Sequence, residues 1–130
     1  MTRKTVWIAR TVTAIPVAFL AFDASIKLVN IQPVVDSMIR LGYQPDLGPG
    51  IGIAEAICLA LYLVPRTSVI GAVLLTGFLG GAVATHVRVG DPLPSHTLFP
   101  IYVAALVWLG LFLRDEALRT YLRGRGLATR

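Results

Sequence analysis

The chain has 130 residues, enough for one domain, with a hydrophobic fraction of 55%, a charged fraction of 15% and a mean hydropathy of +0.73. Soluble domains carry roughly 25% charged residues, and here the charges lie between long apolar runs, so the composition favours a protein that resides in lipid. The net charge of +5 does not indicate nucleic-acid binding, because the basic residues flank apolar segments and leave little polar surface for a phosphate-binding stripe.

Four apolar segments have about the length that is needed to cross a membrane, for which roughly 17–25 residues suffice. They cover about residues 6–28, 49–64, 68–89 and 98–113. The sequence therefore predicts an all-α fold, a transmembrane four-helix bundle that forms a single domain over residues 1–130. The first segment follows Arg3 and Lys4 as a signal peptide would, but more apolar segments come after it, so we interpret it as a retained helix.

A short amphipathic helix is predicted between the first and second spans, over about residues 33–41. Its apolar face carries Val34 and Met38 and its polar face carries Asp36 and Arg40, while Gly42 is a natural helix stop. Such a helix either lies in the membrane interface or folds over the bundle as a lid. A packed connector is the alternative.

Basic residues are distributed unequally between the two ends of the predicted bundle. One end carries Arg3, Lys4, Arg10, Arg66, Arg114, Arg119, Arg123, Arg125 and Arg130, and the other carries Lys27, Arg40 and Arg88. The positive-inside rule places the richer end in the cytoplasm, so we expect both termini there, in a multi-pass protein of the bacterial inner membrane. An aromatic belt is expected at the same end, from Trp7, Tyr62, Trp108 and Tyr121.

The third span is rich in small residues. Gly77 and Gly81 form a GxxxG pattern, and Thr85 continues the same face. Small residues let membrane helices approach closely, so this face is predicted to be a packing seam. We expect the contact inside the bundle, and a seam between chains is the alternative.

Ionisable residues inside the apolar segments mark a candidate site, because a charge in lipid costs roughly 2.5–3.5 kcal/mol or more. The set is Asp23, Lys27, Glu55, His86 and Arg88. Helical rise places the members from three spans at a similar depth in the outer half. Asp23 and Lys27 share a helical face at i and i+4, so we expect them to pair, and we expect Glu55 to pair with His86 or Arg88.

The charges admit a structural and a functional interpretation. They either lock the helix register or form a polar pocket, open to the outside, that binds a small ligand. Acidic and histidine side chains suit a metal, but no HxxH or ExxH spacing supports one, so we predict no metal site. The single cysteine, Cys58, has no disulfide partner and is expected to be a buried small hydrophobe. No nucleophile–base pattern or phosphate loop indicates a reaction, so enzymatic activity stays open.

The order of these features resembles the DoxX-like family of small bacterial membrane proteins with four helices. The residues that carry the resemblance are Lys27, the loop 41–45, Glu55, the run 62–68, the small-residue stretch 71–82, His86 to Arg88, Gly90 to Pro92, Trp108 and Arg114 with Asp115.

This resemblance implies a link to redox complexes, because the family name traces to a membrane subunit of a thiosulfate:quinone oxidoreductase. It suggests a quinone-like or other small amphipathic ligand and a redox-complex partner or a second copy of the chain, with no resident cofactor. A distant branch resembles a receptor-assembly chaperone, so a non-catalytic scaffold is an alternative. A proton-coupled carrier is a further one, although one four-helix unit offers little room for alternating access.

Overall fold

The computed structural model describes residues 2–128, with side chains described over 2–124, and its regular structure in that range is entirely helical. The helices are α1 (Arg3–Val29), α2 (Gln32–Arg40), α3 (Gly48–Leu63), α4 (Ser68–Val89), α5 (Phe99–Arg114) and α6 (Glu116–Ala128), with a π-helical turn at Leu93–Thr97 before α5.

The predicted apolar spans correspond to α1, α3, α4 and α5, and the predicted amphipathic helix corresponds to α2. Three stretches are long and apolar enough to cross a membrane, namely Arg3–Val29, Ser68–Val89 and Leu93–Arg114, while Gly48–Leu63 is apolar but shorter. At 1.5 Å per residue, α3 is only about 24 Å long and α1 about 40 Å. The two helices therefore cannot cover each other over the full length of α1.

Helix α1 packs against α3 and α5, and α4 packs against the same two helices. The residues buried among them are almost all apolar, including Leu20, Leu75, Val107 and Leu111. The surface that faces outward is apolar as well, since Phe22 is 66% exposed and Val73 and Ile57 are each 55% exposed. Helices that are apolar on every side are typical of a membrane environment.

Left-handed backbone conformations end two of the long helices. Asn30 ends α1 with φ 59° and Gly90 ends α4 with φ 73°, and each backbone N–H returns to carbonyl groups in the last turn of its helix. Gly and Asn are the residues that adopt this conformation most readily. The reversal at Asn30 turns the chain directly into α2, which is thereby held beside the end of α1.

The turn between α3 and α4 is closed by hydroxyl groups. Thr67 and Ser68 precede and begin α4, but neither side chain caps the start of that helix. Thr67 donates instead to the carbonyl of Leu61 at 2.7 Å, and Ser68 donates to that of Tyr62 at 2.8 Å. The last carbonyls of a helix lack helical partners, so these hydroxyls satisfy the end of α3 rather than the start of α4.

Close helix contacts use different glycines from those we predicted. A Cβ at Gly71 would collide with the backbone of Tyr62, whereas a Cβ at Gly77 or Gly81 would meet no atom within 4 Å. The expectation that Gly77 and Gly81 form a seam inside the bundle is therefore wrong, because neither glycine packs against another helix of the chain: Gly77 is exposed and Gly81 borders a cavity. Gly110 is the matching contact on α5, where a Cβ would meet Thr13 of α1.

Tyr62 does not belong to an aromatic belt. It is fully buried, and its hydroxyl donates to the carbonyl of Val107 at 2.8 Å. Trp7 and Tyr121, by contrast, are each 60% exposed, as belt residues would be. The Tyr62 hydrogen bond instead joins α3 to α5 at the end of the helices where α4 begins.

Helix α6 was not predicted. Its start is capped by Asp115, whose carboxylate accepts a hydrogen bond from the backbone N–H of Leu118 at 2.9 Å. Asp followed by Glu116 in the first turn is a good helix-start signal, and it could have been recognised after the end of the last apolar segment.

The contrast between Gly71 and Gly77 can be tested by matched alanine substitutions. Gly71→Ala should lower the free energy of unfolding by roughly 1–3 kcal/mol, because the added methyl group overpacks the contact with Tyr62. Gly77→Ala should leave the melting temperature in detergent unchanged or raise it, because its Cβ is unobstructed. Equal losses in the two variants would contradict the arrangement of α4 described above.

Candidate functional site

The centre of the candidate site is an ammonium group shared by two carboxylates. Lys27 Nζ lies 2.5 Å from Asp23 Oδ2 and 3.0 Å from Glu55 Oε2. Asp23 lies one helical turn before Lys27 on α1, and Glu55 reaches Lys27 from α3. The predicted pair between Asp23 and Lys27 is confirmed, and the same lysine also bridges two helices.

Glycine makes this bridge possible. A Cβ at Gly52 would meet Lys27 Cβ, the carbonyl of Ala24 and the backbone nitrogen of Leu28. The absence of a side chain at Gly52 therefore lets α3 come close to α1, one turn before Glu55. Gly52 and Glu55 are three residues apart and therefore share a helical face. This spacing could have indicated that Glu55 faces a closely packed helix, but the sequence analysis did not use it.

Burial is graded across the cluster. The side chain of Glu55 is 0% exposed, that of Lys27 is 15% exposed and that of Asp23 is 27% exposed. Glu55 Oε1 has no hydrogen-bond partner in the part of the chain that the structure describes. Two carboxylates and one ammonium leave the cluster with one excess negative charge when all three groups are ionised.

The expectation that Glu55 pairs with His86 or Arg88 is wrong. His86 Nδ1 lies 2.5 Å from Asp91 Oδ2, and Arg88 donates to the carbonyl of Leu41 at 2.6 Å. The close approach of α3 to α1 at Gly52 directs Glu55 towards α1. His86 contacts the loop after α4, and Arg88 contacts the loop after α2, so neither basic residue pairs with Glu55. Sequence spacing gives the depth of a side chain but not its direction around the bundle.

A cavity of about 420 Å³ lies next to the cluster. Its walls come from α1, α2 and α4, with contributions from Tyr43 in the loop after α2 and Ile51 of α3. The lining residues are Asp23, Ile26, Lys27, Pro33, Val34, Ser37, Met38, Leu41, Tyr43, Ile51, Phe78, Gly81, Ala82, Thr85 and His86. Most of this surface is apolar, and polar groups lie around Asp23 and Lys27 on α1 and around Thr85 and His86 on α4.

The two polar places differ in character. At the first, Lys27 and Asp23 face an aromatic ring, since Lys27 Nζ is 5.3 Å from the centroid of Phe78. At the second, the Tyr43 hydroxyl lies 2.7 Å from the hydroxyl of Thr85. His86 stands next to Thr85 on the same wall.

Helix α2 covers the cavity and is tied down at its end. Arg40 donates to Asp91 Oδ1 at 2.8 Å, and the other oxygen of the same carboxylate contacts His86. Arg88 adds a second tie through the carbonyl of Leu41 and also lies over the Tyr43 ring, 5.9 Å from its centroid. Helix α2 therefore forms one wall of the cavity and is held at its C-terminal end. An interfacial helix, a lid and a packed connector all stay predictions for it.

The predicted site residues are thus only partly brought together. Asp23, Lys27 and His86 line the cavity. Glu55 and Arg88 do not line it: Glu55 contacts Lys27, and Arg88 donates to the carbonyl of Leu41 after α2. Gly81 and Thr85 line the cavity too, although they were predicted as parts of a packing seam. Within the described residues, no three His, Cys, Asp or Glu side chains form a group that could hold a metal ion.

These features define a multi-pass membrane protein with a charged cluster buried between its first two apolar helices. A family model for the DoxX-like family matches residues 11–110. Since this covers most of the chain, the protein belongs to the DoxX-like family. No curated protein and no solved structure matches it.

The shared ammonium predicts non-additive effects of mutation. Lys27→Met should destabilise the protein by about 3–5 kcal/mol, because it leaves buried carboxylates without a counter-charge. Adding Asp23→Asn and Glu55→Gln to the same chain should recover a large part of that loss, since a neutral cluster needs no counter-charge. Thermal unfolding in detergent measures both, and Lys4→Met, at an exposed lysine, is the control. If the three changes simply add, the groups are not coupled.

The contacts of Asp91 with Arg40 and His86 predict a change in stability at acid pH. Hydrogen bonds from His86 and then Arg40 hold the pKa of Asp91 below its ordinary value of 3.8. The folded state is therefore stabilised by ionised Asp91 above pH 3.8, and this contribution disappears as the pH falls through the folded-state pKa. The difference in melting temperature between wild type and Asp91→Asn should be present above pH 3.8 and should shrink as the pH falls through the folded-state pKa of Asp91.

A second variant checks the cause of that profile. His86→Gln removes the imidazole, whose hydrogen bond is the largest single cause of the lowered pKa of Asp91, so the acid transition should move up towards pH 3.8. An unmoved transition would mean that His86 does not hold the carboxylate.

Proposed function

We propose that this protein binds a small amphipathic molecule with a polar head, of the quinone kind, in the cavity beneath α2, and that it does so as a subunit of a membrane redox complex. The observation that carries the proposal is the apolar cavity of about 420 Å³ with Lys27 and Asp23 at one wall. Small-molecule sites are typically concave, mostly apolar and supplied with a few polar groups that orient the ligand.

The polar wall suits a carbonyl or hydroxyl head group. An ammonium group has three donors, and Lys27 uses two of them on Asp23 and Glu55. The third is available to a ligand oxygen. Asp23 is the most exposed member of the cluster and can accept a hydrogen bond from a ligand hydroxyl. A head group that alternates between a carbonyl and a hydroxyl form would therefore find a hydrogen-bond donor in Lys27 for the first form and an acceptor in Asp23 for the second.

The apolar walls suit the remainder of such a ligand. Phe78 offers a ring face beside Lys27, and Ile51 and Val34 continue the apolar surface. Glu55 acts indirectly in this proposal, because it holds Lys27 in place from behind. Release of the Arg40–Asp91 tie would let α2 move away and admit the ligand from the membrane interface.

The proposed setting is the bacterial inner membrane, with α1, α3, α4 and α5 forming a four-helix bundle across it. The start of α1 and the end of α5 would face the cytoplasm, because Arg3, Lys4, Arg10 and Arg114 lie at that end. The cavity would then open towards the outer surface, where α2 lies.

A non-catalytic scaffold is the second candidate function. It is favoured by the outward face of α4, where Gly77 and Gly80 are exposed and a Cβ at each would meet no atom within 4 Å. In lipid, such a face allows close approach of another helix, either from a second copy or from a redox-complex partner.

Ligand-induced stabilisation tests the first candidate. Decylubiquinone should raise the melting temperature of the wild-type protein in detergent. Ala82→Trp should abolish that rise, because the indole fills the cavity, whereas Val87→Trp, on the exposed side of the same helix, should keep it. Glu55→Gln should fold, because Lys27 and Asp23 still balance each other, and should bind about tenfold more weakly, because Lys27 is no longer held by two carboxylates.

The outcomes separate the two candidates. A rise that persists in Ala82→Trp would place the ligand elsewhere and contradict the proposed site. No rise in any variant, together with self-association that Gly77→Leu disrupts, would favour the scaffold.

A further inference from the structure

A second cavity, of about 520 Å³, lies at the opposite end of α1 from the charged cluster. Residues of α1 form most of its wall and recur at helical spacing, so they make one continuous stripe. The lining residues are Val6, Ala9, Arg10, Thr13, Ala14, Val17, Leu63 and Arg114. The site proposed above involves none of them.

The cavity exists because α3 is short. Leu63 is the last residue of α3 and forms one edge of the cavity, while α1 continues past it to Arg3. The hydrocarbon core of a bilayer is about 30 Å thick, and α3 measures only about 24 Å. The part of α1 that α3 does not cover forms a notch, bordered by Val6 to Val17 of α1 and by Leu63 and Arg114. In a bilayer this notch would lie near the boundary between the hydrocarbon core and the head groups.

Two guanidinium groups border this notch. The Arg114 side chain donates to the carbonyl of Tyr62 at 3.3 Å and lies over its ring, 4.5 Å from the centroid. Arg10 lies 5.9 Å from the centroid of the Trp7 ring. Neither arginine forms an ion pair with an acidic side chain in the described part of the chain. Each guanidinium has five N–H donors, so both retain donors for an anion.

The lining of the notch contains two basic residues and no acidic residue. The nearest acid along the chain, Asp115, directly follows Arg114 but does not belong to that lining. An anion held here would meet two cations at its head and an apolar stripe, formed by Val6, Ala14 and Val17, along its tail.

We propose that this notch binds an anionic phospholipid from the leaflet in which α1 begins. The phosphate lies between Arg10 and Arg114, and an acyl chain follows the apolar stripe of α1 below the end of α3. Arginine matches phosphate oxygens with paired hydrogen bonds, and basic recesses between membrane helices are a known form of anionic head-group site. The proposal does not depend on ligand binding beneath α2.

The test is a lipid competition on the 130-residue chain. Phosphatidylglycerol and phosphatidylcholine with identical acyl chains are added in detergent, and retained lipid is counted by native mass spectrometry. Wild type should retain phosphatidylglycerol preferentially. Arg10→Gln should weaken that binding roughly fivefold, as expected for the loss of one basic group near the phosphate. Arg114→Gln should do the same, with thermal unfolding as the check on its fold because Arg114 also contacts Tyr62.

Two controls keep the result interpretable. Arg66→Gln removes an exposed cation at the same end of the bundle but outside the notch, and should leave lipid preference unchanged. Ala14→Phe keeps both arginines and fills the apolar stripe, so it should weaken lipid retention. Equal effects of Arg66→Gln and Arg10→Gln, or equal retention of the two lipids by wild type, would overturn the proposal. Full competition by inorganic phosphate alone would also overturn it, because the ligand would then be a soluble anion.

Discussion

Lys27 carries its charge into the apolar interior of the protein, and the position is tolerable because two carboxylates share the ammonium. This requirement governs the surrounding packing. It needs α3 to approach α1 closely enough for Glu55 to reach Lys27, which the missing side chain of Gly52 allows. It also needs Asp23 one turn earlier on α1. The relative position of the two helices is thus set by electrostatics in a medium that offers no other counter-charge.

The two cavities lie along the same helix, α1, and differ in the charge of the groups beside them. Near the end of α1, the cluster of Asp23, Lys27 and Glu55 contains more acid than base and is sheltered by α2. Near its start, Arg10 and Arg114 are cations without acidic partners among the described residues, beside a stretch that α3 leaves uncovered. The first arrangement suits a neutral head group that forms hydrogen bonds, and the second suits an anion. A single helix therefore borders two cavities of different charge.

The sequence was informative wherever one-dimensional pattern determines structure. Apolar run length located the long helices within a few residues, and the spacing of Asp23 and Lys27 predicted their pair. What could not be predicted depends on direction around a helix axis: Glu55 turns to α1 rather than α4, Gly77 faces outward, and Tyr62 is buried. In a chain that is apolar on all sides, hydrophobic periodicity carries no signal about which side is the interior. Helix α6 was missed for a different reason, because it is polar and lies outside the apolar segments.

The sharing of Lys27 has a consequence for the order in which the chain enters the membrane during synthesis. Helix α1 emerges first and already contains its own counter-ion, since Asp23 and Lys27 pair within it. This pair can enter lipid as an electrically balanced unit. Helix α3 brings Glu55 with no partner on its own sequence between Gly48 and Leu63. A carboxylate near the middle of a helix of marginal length opposes insertion by several kcal/mol. Contact with α1, where Lys27 supplies a counter-charge, lowers that cost. The first helix is therefore expected to favour the insertion of the second apolar span.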